Sequence, residues 1–99
     1  MHASVIDTHF KAENRDEAIA LTSELVDELS TRVEGLRGFV LLDRGDNRST
    51  AMVLYESKEQ WEAAAPVAQE ILGKLGPFMA DMPERTGCDV ILAKRYIID

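Results

Sequence analysis

Apolar and polar residues follow each other in a pattern that predicts a strand and then a long helix in the first third of the chain. Residues 3–11 are rich in β-branched and aromatic side chains and end at a polar stretch, which is typical of a strand. Apolar residues at helical spacing then extend from Ala18 to Val33. Asn14 and Glu17 match the capping-box pattern, so we expect the helix to begin there and to end near residue 35.

The middle of the chain predicts a hairpin. Residues 38–44 and 49–56 form two apolar runs with strand composition. The sequence Gly45-Asp46-Asn47 between them is typical of a tight turn. We therefore expect two antiparallel neighbours in a sheet.

A second helix and a last strand complete the predicted order. Ser57 and Gln60 repeat the N-terminal capping pattern, and an apolar helical stripe follows as far as Leu75. Pro66 lies inside that stripe and predicts a kink or two short helices, because proline lacks the backbone donor and clashes with the preceding turn. After a loop, residues 87–95 predict a strand. The order βαββαβ predicts an α+β, ferredoxin-like fold: a four-stranded antiparallel sheet with two helices on one face.

Both faces of the predicted hairpin carry apolar side chains. Strand alternation places Phe39 and Leu41 on one face and Val40 and Leu42 on the other. Two helices cover one face only, and leaving four or five such side chains in water forfeits about 1.5–3 kcal/mol each. We therefore predict a two-fold homodimer through the open sheet face, with the apolar C-terminal tail, residues 96–98, reaching onto the partner.

Composition and charge narrow the classes of function. The 99 residues suit one domain spanning 1–99, and the 45% apolar and 29% charged residues are ordinary for a globular protein. A net charge of -7 argues against nucleic acid and anionic membranes as partners. The sequence contains neither a membrane-spanning run nor, at residues 1–4, the features of a signal peptide. We expect a cytoplasmic protein.

Cofactor and metal motifs are absent from the sequence. Cys88 is the single cysteine, so neither an internal disulfide nor a CxxC motif can form, and we expect no zinc or other metal. The six glycines show neither GxGxxG nor GxxxxGK spacing, so no nucleotide cofactor is expected.

Two passages carry a resemblance to a known family. Residues 34–43, EGLRGFVLLD, and residues 51–62, AMVLYESKEQWE, resemble the antibiotic biosynthesis monooxygenase (ABM) domain family of dimeric α/β barrels. The resemblance implies one pocket per subunit between sheet and helices. Some members use it for cofactor-free oxygenation of phenolic or quinol-like substrates, and others for haem breakdown.

This chain departs from the haem-degrading members. Many of the family's members carry a histidine in the second helix, where this sequence has Glu-Ala-Ala-Ala-Pro at 62–66. The haem-degrading members have an Asn in the first strand, where this chain has Asp7. Both differences argue against haem degradation. The oxygenase members use polar and aromatic residues of the second helix together with an Arg, and the chain offers Trp61 and, at a distance that the sequence does not give, Arg85.

Cofactor-free oxygenation needs a base that deprotonates the substrate, so that its electron-rich anion can pass an electron to O2. His9 is the candidate catalytic base, because histidine is the side chain type suited to proton transfer near neutral pH and this one lies in a predicted strand. Alternation puts Asp7 on the same face, where it can orient the imidazole. The alternative is that both residues lie at a partly solvated edge with water as their partner.

Four further residues are candidates for substrate binding: Trp61, Tyr55, Met52 and Phe78. Trp61 and Tyr55 offer a ring and a hydrogen-bond donor, whereas Met52 and Phe78 belong to a soft apolar group. For each of the four, packing in the core, an interface or a loop is the alternative role. We thus expect a cofactor-independent ABM-type monooxygenase acting on a small phenolic or quinol-like substrate. The alternative is a non-catalytic dimeric module that binds a small apolar metabolite.

Overall fold

The computed structural model describes residues 1–94 and confirms the α+β, ferredoxin-like architecture. Its strands are β1 (His2–His9), β2 (Leu36–Gly45), β3 (Arg48–Tyr55) and β4 (Thr86–Asp89). Its α-helices are α1 (Arg15–Arg32), α2 (Lys58–Ala63) and α3 (Ala65–Leu75). The strands form one antiparallel sheet in the order β2-β3-β1-β4.

The register of β1 divides its side chains between two faces. Ser4, Ile6 and Thr8 point toward the helices and are buried. Asp7 and His9 belong to the alternate set, which points to the other face. The helix-covered face is called the inner face below, and the opposite one the outer face.

The core lies between the inner face and the helices. Helix α3 contributes a continuous buried stripe, and α1 packs beside it with a second one. These stripes meet buried side chains of β1 and β3. The buried helical residues are Ala18, Thr22, Leu25 and Leu29 of α1 and Ala68, Ile71, Leu72 and Leu75 of α3.

Pro66 divides the second helical segment, as the sequence predicts. Helix α2 ends at Ala63 and α3 begins at Ala65, which places Pro66 in the first turn of α3, where no donor is lost. The predicted cap is also confirmed, because the Ser57 hydroxyl accepts a hydrogen bond from the Gln60 backbone N–H over 3.2 Å.

The cap predicted at Asn14 is wrong. The chain enters α1 through a 3-10 turn at Ala12–Asn14, and the Asn14 backbone N–H donates to the Lys11 carbonyl over 3.0 Å. Asn14 has φ -117° and ψ 8°, outside the extended conformation that an N-cap adopts, and its side chain makes no capping hydrogen bond. The preceding turn therefore replaces the capping box.

The predicted hairpin turn is present. Asp46 and Asn47 both have positive φ, 53° and 62°, as a tight turn that follows the twist of its strands requires. Short polar side chains tolerate this conformation. The Asp43 carboxylate braces the turn by accepting from the Gly45 backbone N–H over 2.9 Å.

The last strand is shorter than predicted. Residues 87–95 were expected to be extended in the sheet, whereas β4 covers Thr86–Asp89. It pairs with β1 alone, in a register that joins His2 to Asp89, and beyond Asp89 the Val90 backbone N–H donates to the Met1 carbonyl over 3.1 Å. Residue 95 and the predicted apolar tail, residues 96–98, lie outside the described residues.

The outer face carries the exposed apolar side chains that the hairpin pattern predicts. Val40 is 47% exposed, Leu42 43% and Met52 36%. In residues 1–94 no helix has the length and apolar character needed to cross a membrane. A homodimer that covers this face, and the barrel that it would close, stay predictions.

Candidate functional site

A narrow cavity of about 60 Å³ lies between the inner face, α1 and α3. Its wall is overwhelmingly apolar, with residues such as Ile6, Leu25, Phe39, Val53, Ile71 and Leu75. Among the described residues, Arg85 is the charged side chain in this wall, and Ser4, Thr8, Thr22 and Tyr55 bring hydroxyl groups to it. Such a site favours a mainly apolar molecule with one polar end.

Ser4 provides a buried hydroxyl at the cavity. Its side chain is 1% exposed, and its Oγ accepts a hydrogen bond of 2.7 Å from the indole Nε1 of Trp61. The hydroxyl keeps its own hydrogen to donate, and no acceptor for it is found among residues 1–94. Ser4 can therefore donate to an oxygen atom of a molecule in the cavity.

Arg85 is held at the cavity by Trp61. Its Nη2 donates to the Trp61 carbonyl over 2.7 Å, and its guanidinium carbon lies 4.2 Å from the centroid of the indole ring. The Tyr55 ring centroid lies 5.8 Å away. No carboxylate forms an ion pair with Arg85 in the part of the chain that the structure describes. This charge is thus available to an anionic group.

Gly87 makes room for this arrangement. A Cβ atom at Gly87 would collide with the Trp61 ring and would lie 2.8 Å from His2 Nε2. The missing side chain lets the indole lie directly on the sheet beside Ser4, which is paired with Gly87 in the register. A side chain at residue 87 would displace the indole and so disturb its hydrogen bond to Ser4 and its contact with Arg85.

His9 and Asp7 lie on the outer face, away from this cavity, and are absent from its wall. The expected contact between them is not formed: Asp7 Oδ1 accepts from the Thr50 hydroxyl over 2.8 Å, and His9 Nδ1 lies 3.5 Å from Asp81 Oδ2. The expectation that Asp7 orients the His9 imidazole is therefore wrong. The catalytic role of both residues stays a prediction, and neither residue contacts the cavity.

The four predicted substrate-binding residues are placed differently. Tyr55 is buried and lines the cavity. Trp61 stands behind the wall, where it positions two residues that do line it. Met52 points to the outer face, and Phe78 packs against the core while its neighbour Met79 reaches the cavity. The structure thus brings Tyr55 and Trp61 together around Arg85 and leaves Met52 and Phe78 apart.

Ser4 is a cavity residue that sequence reasoning missed, as are Thr8 and Thr22. It shares strand parity with Ile6, so alternation could have assigned it to the inner face. The position of Arg85 cannot be predicted from a local pattern, because Arg85 follows an irregular segment rather than a helix or strand.

No metal centre is seen in the described range. Residues 1–94 contain no group of three or more His, Cys, Asp or Glu side chains close enough to hold a metal ion. Cys88 is free and exposed.

Comparisons with known proteins show what this fold is similar to. No protein-family model matches the chain, and no protein of curated function matches it. Solved structures do match. A Caulobacter crescentus protein assigned as an antibiotic biosynthesis monooxygenase superposes with a TM-score of 0.76 and 15% identity, covering 92% of this chain and 90% of that one.

Two further solved structures superpose on this chain in the same way. A Nitrosomonas europaea protein with the same assignment has a TM-score of 0.74 and 14% identity, covering 93% of this chain and 100% of that one. A structure named antibiotic biosynthesis monooxygenase has a TM-score of 0.71 and 12% identity, covering 93% and 100%. Identities this low establish the fold and leave the activity open. The chain therefore has the fold of the antibiotic biosynthesis monooxygenase proteins, as its sequence resemblance implies.

Proposed function

We propose that this chain is an ABM-type, cofactor-independent monooxygenase that oxidises a small phenolic or quinol-like substrate in the cavity beside Arg85. The observation that carries the proposal is one available cation, Arg85, in a mainly apolar wall. An aromatic ring with one ionised oxygen complements that combination, because the ring suits the apolar wall and the oxygen suits the guanidinium.

The chemistry follows from the same contacts. Arg85 and the Ser4 hydroxyl stabilise the negative charge of a phenolate at the polar end of the cavity. The electron-rich ring then passes one electron to O2, and the superoxide formed makes a C–O bond to a ring carbon that still carries a hydrogen, which gives a hydroperoxide once the proton of the phenol returns to it. The O–O bond then breaks as that carbon loses its hydrogen, so the carbon becomes a carbonyl group and the outer oxygen leaves as water. The sum is a phenol and O2 giving a quinone and water, so the substrate supplies the electrons and both hydrogens of the water. The apolar wall excludes water from the reaction.

Admission of a ring requires the cavity to widen from about 60 Å³. Met79 is suited to this, because it lines the wall with a flexible, unbranched side chain. A change in its rotamer enlarges the space without breaking a hydrogen bond of the side chain.

Oxygen uptake on a panel of phenols and quinols tests the proposal. We expect a substrate whose oxidation consumes O2 and whose product gains one atom of ¹⁸O from ¹⁸O2. The Arg85→Gln variant should bind the ionised form of that substrate about tenfold or more weakly, because a hydrogen bond to a charged group contributes about 1.5–3 kcal/mol. Arg37→Gln, on the outside of the sheet and paired with Glu56, is the matched control.

Two outcomes would contradict the proposal. One is the absence of uptake across the panel, and the other is a product without ¹⁸O. Tight binding of a panel compound without oxygen uptake would instead support the second candidate, a non-catalytic binding module. The small and mainly apolar cavity favours that candidate as well.

A further inference from the structure

His2 is a buried histidine beside Trp61, and no sequence pattern identifies it as a candidate site residue. The His2 side chain is 7% exposed, and its Nδ1 lies 2.9 Å from Oδ1 of Asp89, a side chain that is 80% exposed. His2 and Asp89 are direct partners in the antiparallel register of β1 and β4. The sheet therefore holds an acid and an imidazole in contact, which is the relationship that Asp7 and His9 lack.

The register places this pair on the side of the cavity. Tyr55, His2 and Asp89 form one row across β3, β1 and β4 on the inner face. The His2 ring meets the Trp61 ring edge to face, with centroids 4.8 Å apart. A Cβ at Gly87 would lie 2.8 Å from His2 Nε2, so this nitrogen lies over Gly87, the register partner of the cavity residue Ser4. His2 itself is not part of the cavity wall but, unlike His9, it belongs to the inner face of the sheet.

The two ring nitrogens thus have different surroundings. The Asp89 carboxylate accepts a hydrogen bond from His2 Nδ1–H and thereby favours the tautomer in which the lone pair is on Nε2. A neutral imidazole held in this way by a carboxylate is the arrangement of an oriented general base. The charged and titratable groups around it are Asp89 on β4, Tyr55 on β3 and Arg85 in the preceding loop.

We propose that His2, oriented by Asp89, is the base that deprotonates the phenolic substrate; this inference rests on the proposed function. The O–H bond of the phenol breaks, its proton forms a bond to His2 Nε2, and the electron pair stays on the phenolate oxygen. Asp89 stabilises the imidazolium, and Arg85 stabilises the phenolate. Asp89 is a positioning residue, because it acts through His2.

The pH profile of oxygen uptake tests this assignment. Removal of a general base costs about 10²–10⁴ in rate, so His2→Gln should lower kcat about 100-fold or more with little change in KM. The remaining rate should rise with the concentration of hydroxide or of an already ionised substrate. Added imidazole should restore activity to His2→Ala. Asp89→Asn should lower kcat less and shift the pH profile, and Cys88→Ser on the same strand is its control.

His9 provides the rival assignment. A His9→Gln variant that loses activity and pH dependence, with both intact in His2→Gln, would overturn the inference and restore the base predicted from the sequence. An active wild type with unchanged His2→Gln kinetics would overturn the inference while leaving the proposed function standing. An inactive wild type would overturn both.

A spectroscopic measurement on the wild-type protein tests the inference even if the His2 variants do not fold. In ¹⁵N NMR of the wild-type protein, neutral His2 should carry its hydrogen on Nδ1, and its Nε2 signal should shift when a phenol binds. A neutral His2 with its hydrogen on Nε2, or no shift on binding, would overturn the inference.

Discussion

The indole N–H of Trp61 donates to the hydroxyl of Ser4 over 2.7 Å, and the same residue's carbonyl accepts from Arg85. A side chain outside the cavity thus positions two side chains inside it. The predicted aromatic residue of the second helix is important through its contacts with Ser4 and Arg85, rather than as a wall of the site.

A double-mutant cycle on Trp61 and Ser4 measures this relationship. Trp61→Phe keeps a ring but removes the donor, and we expect the free energy of unfolding to fall by about 0.5–1.5 kcal/mol from the lost hydrogen bond, in addition to lost packing. Combined with Ser4→Ala, the two changes should be less than additive in denaturant unfolding. Strict additivity would contradict a hydrogen bond that contributes to stability.

Gly87→Ala should destabilise the protein. The new methyl group meets the Trp61 ring and His2, and overpacking of this kind costs about 1–3 kcal/mol. Gly73→Ala is the matched control, because a Cβ there has nothing within 4 Å and the residue is helical, so a gain of about 0.5–1 kcal/mol is expected. Equal unfolding midpoints for the two variants would show that the Gly87 contact is absent.

The ion pairs between α1 and α3 predict a pH-dependent contribution to stability. Arg32 donates to Glu70 and thereby lowers the pKa of that carboxyl below its usual value. A group whose pKa is lowered by folding stabilises the protein above its unfolded pKa, and this contribution disappears as pH falls through the folded pKa.

Glu70→Gln should therefore be slightly less stable than the wild type at neutral pH, and equally stable in acid below the folded pKa of Glu70. Thermal unfolding over a pH series measures the difference. Glu24→Gln, which alters an exposed α1 glutamate without an ion pair in residues 1–94, should show no such trend. A difference in thermal stability between Glu70→Gln and the wild type that persists in acid would contradict the link between Glu70 protonation and stability.

The exposed outer face predicts a homodimer. Leu42→Asp places a charge among apolar side chains such as Val40 and should convert a dimer into a monomer in native mass spectrometry. Ser23→Asp, on the exposed side of α1, should leave the dimer intact. A wild-type monomer would exclude the predicted face-to-face packing.

Local rules account for most of what the sequence predicts correctly. The Ser57 cap and the break at Pro66 depend on residues within one turn of each other, and both are confirmed. The same rule fails at Asn14, because a 3-10 turn already bends the backbone there. A capping pattern therefore predicts a cap only where the preceding residues allow the N-cap residue its extended backbone conformation.

The site is harder to predict than the fold for two reasons. Alternation correctly groups Asp7 with His9, but it does not say which face the cavity adjoins, and the pair lies on the other one. The His2 to Asp89 contact joins residues 87 positions apart, and Arg85 reaches Trp61 from an irregular segment. Neither contact follows from spacing along the sequence.

Filling the cavity tests the central claim most directly. Ala51 is buried in the cavity wall, so Ala51→Leu occupies space that the substrate ring needs, whereas Ala20→Leu makes the same change on the exposed side of α1. With a substrate found in the panel, oxygen uptake should fall at least about tenfold in Ala51→Leu and match the wild type in Ala20→Leu. Full oxygen uptake by a folded Ala51→Leu protein would show that the reaction takes place elsewhere.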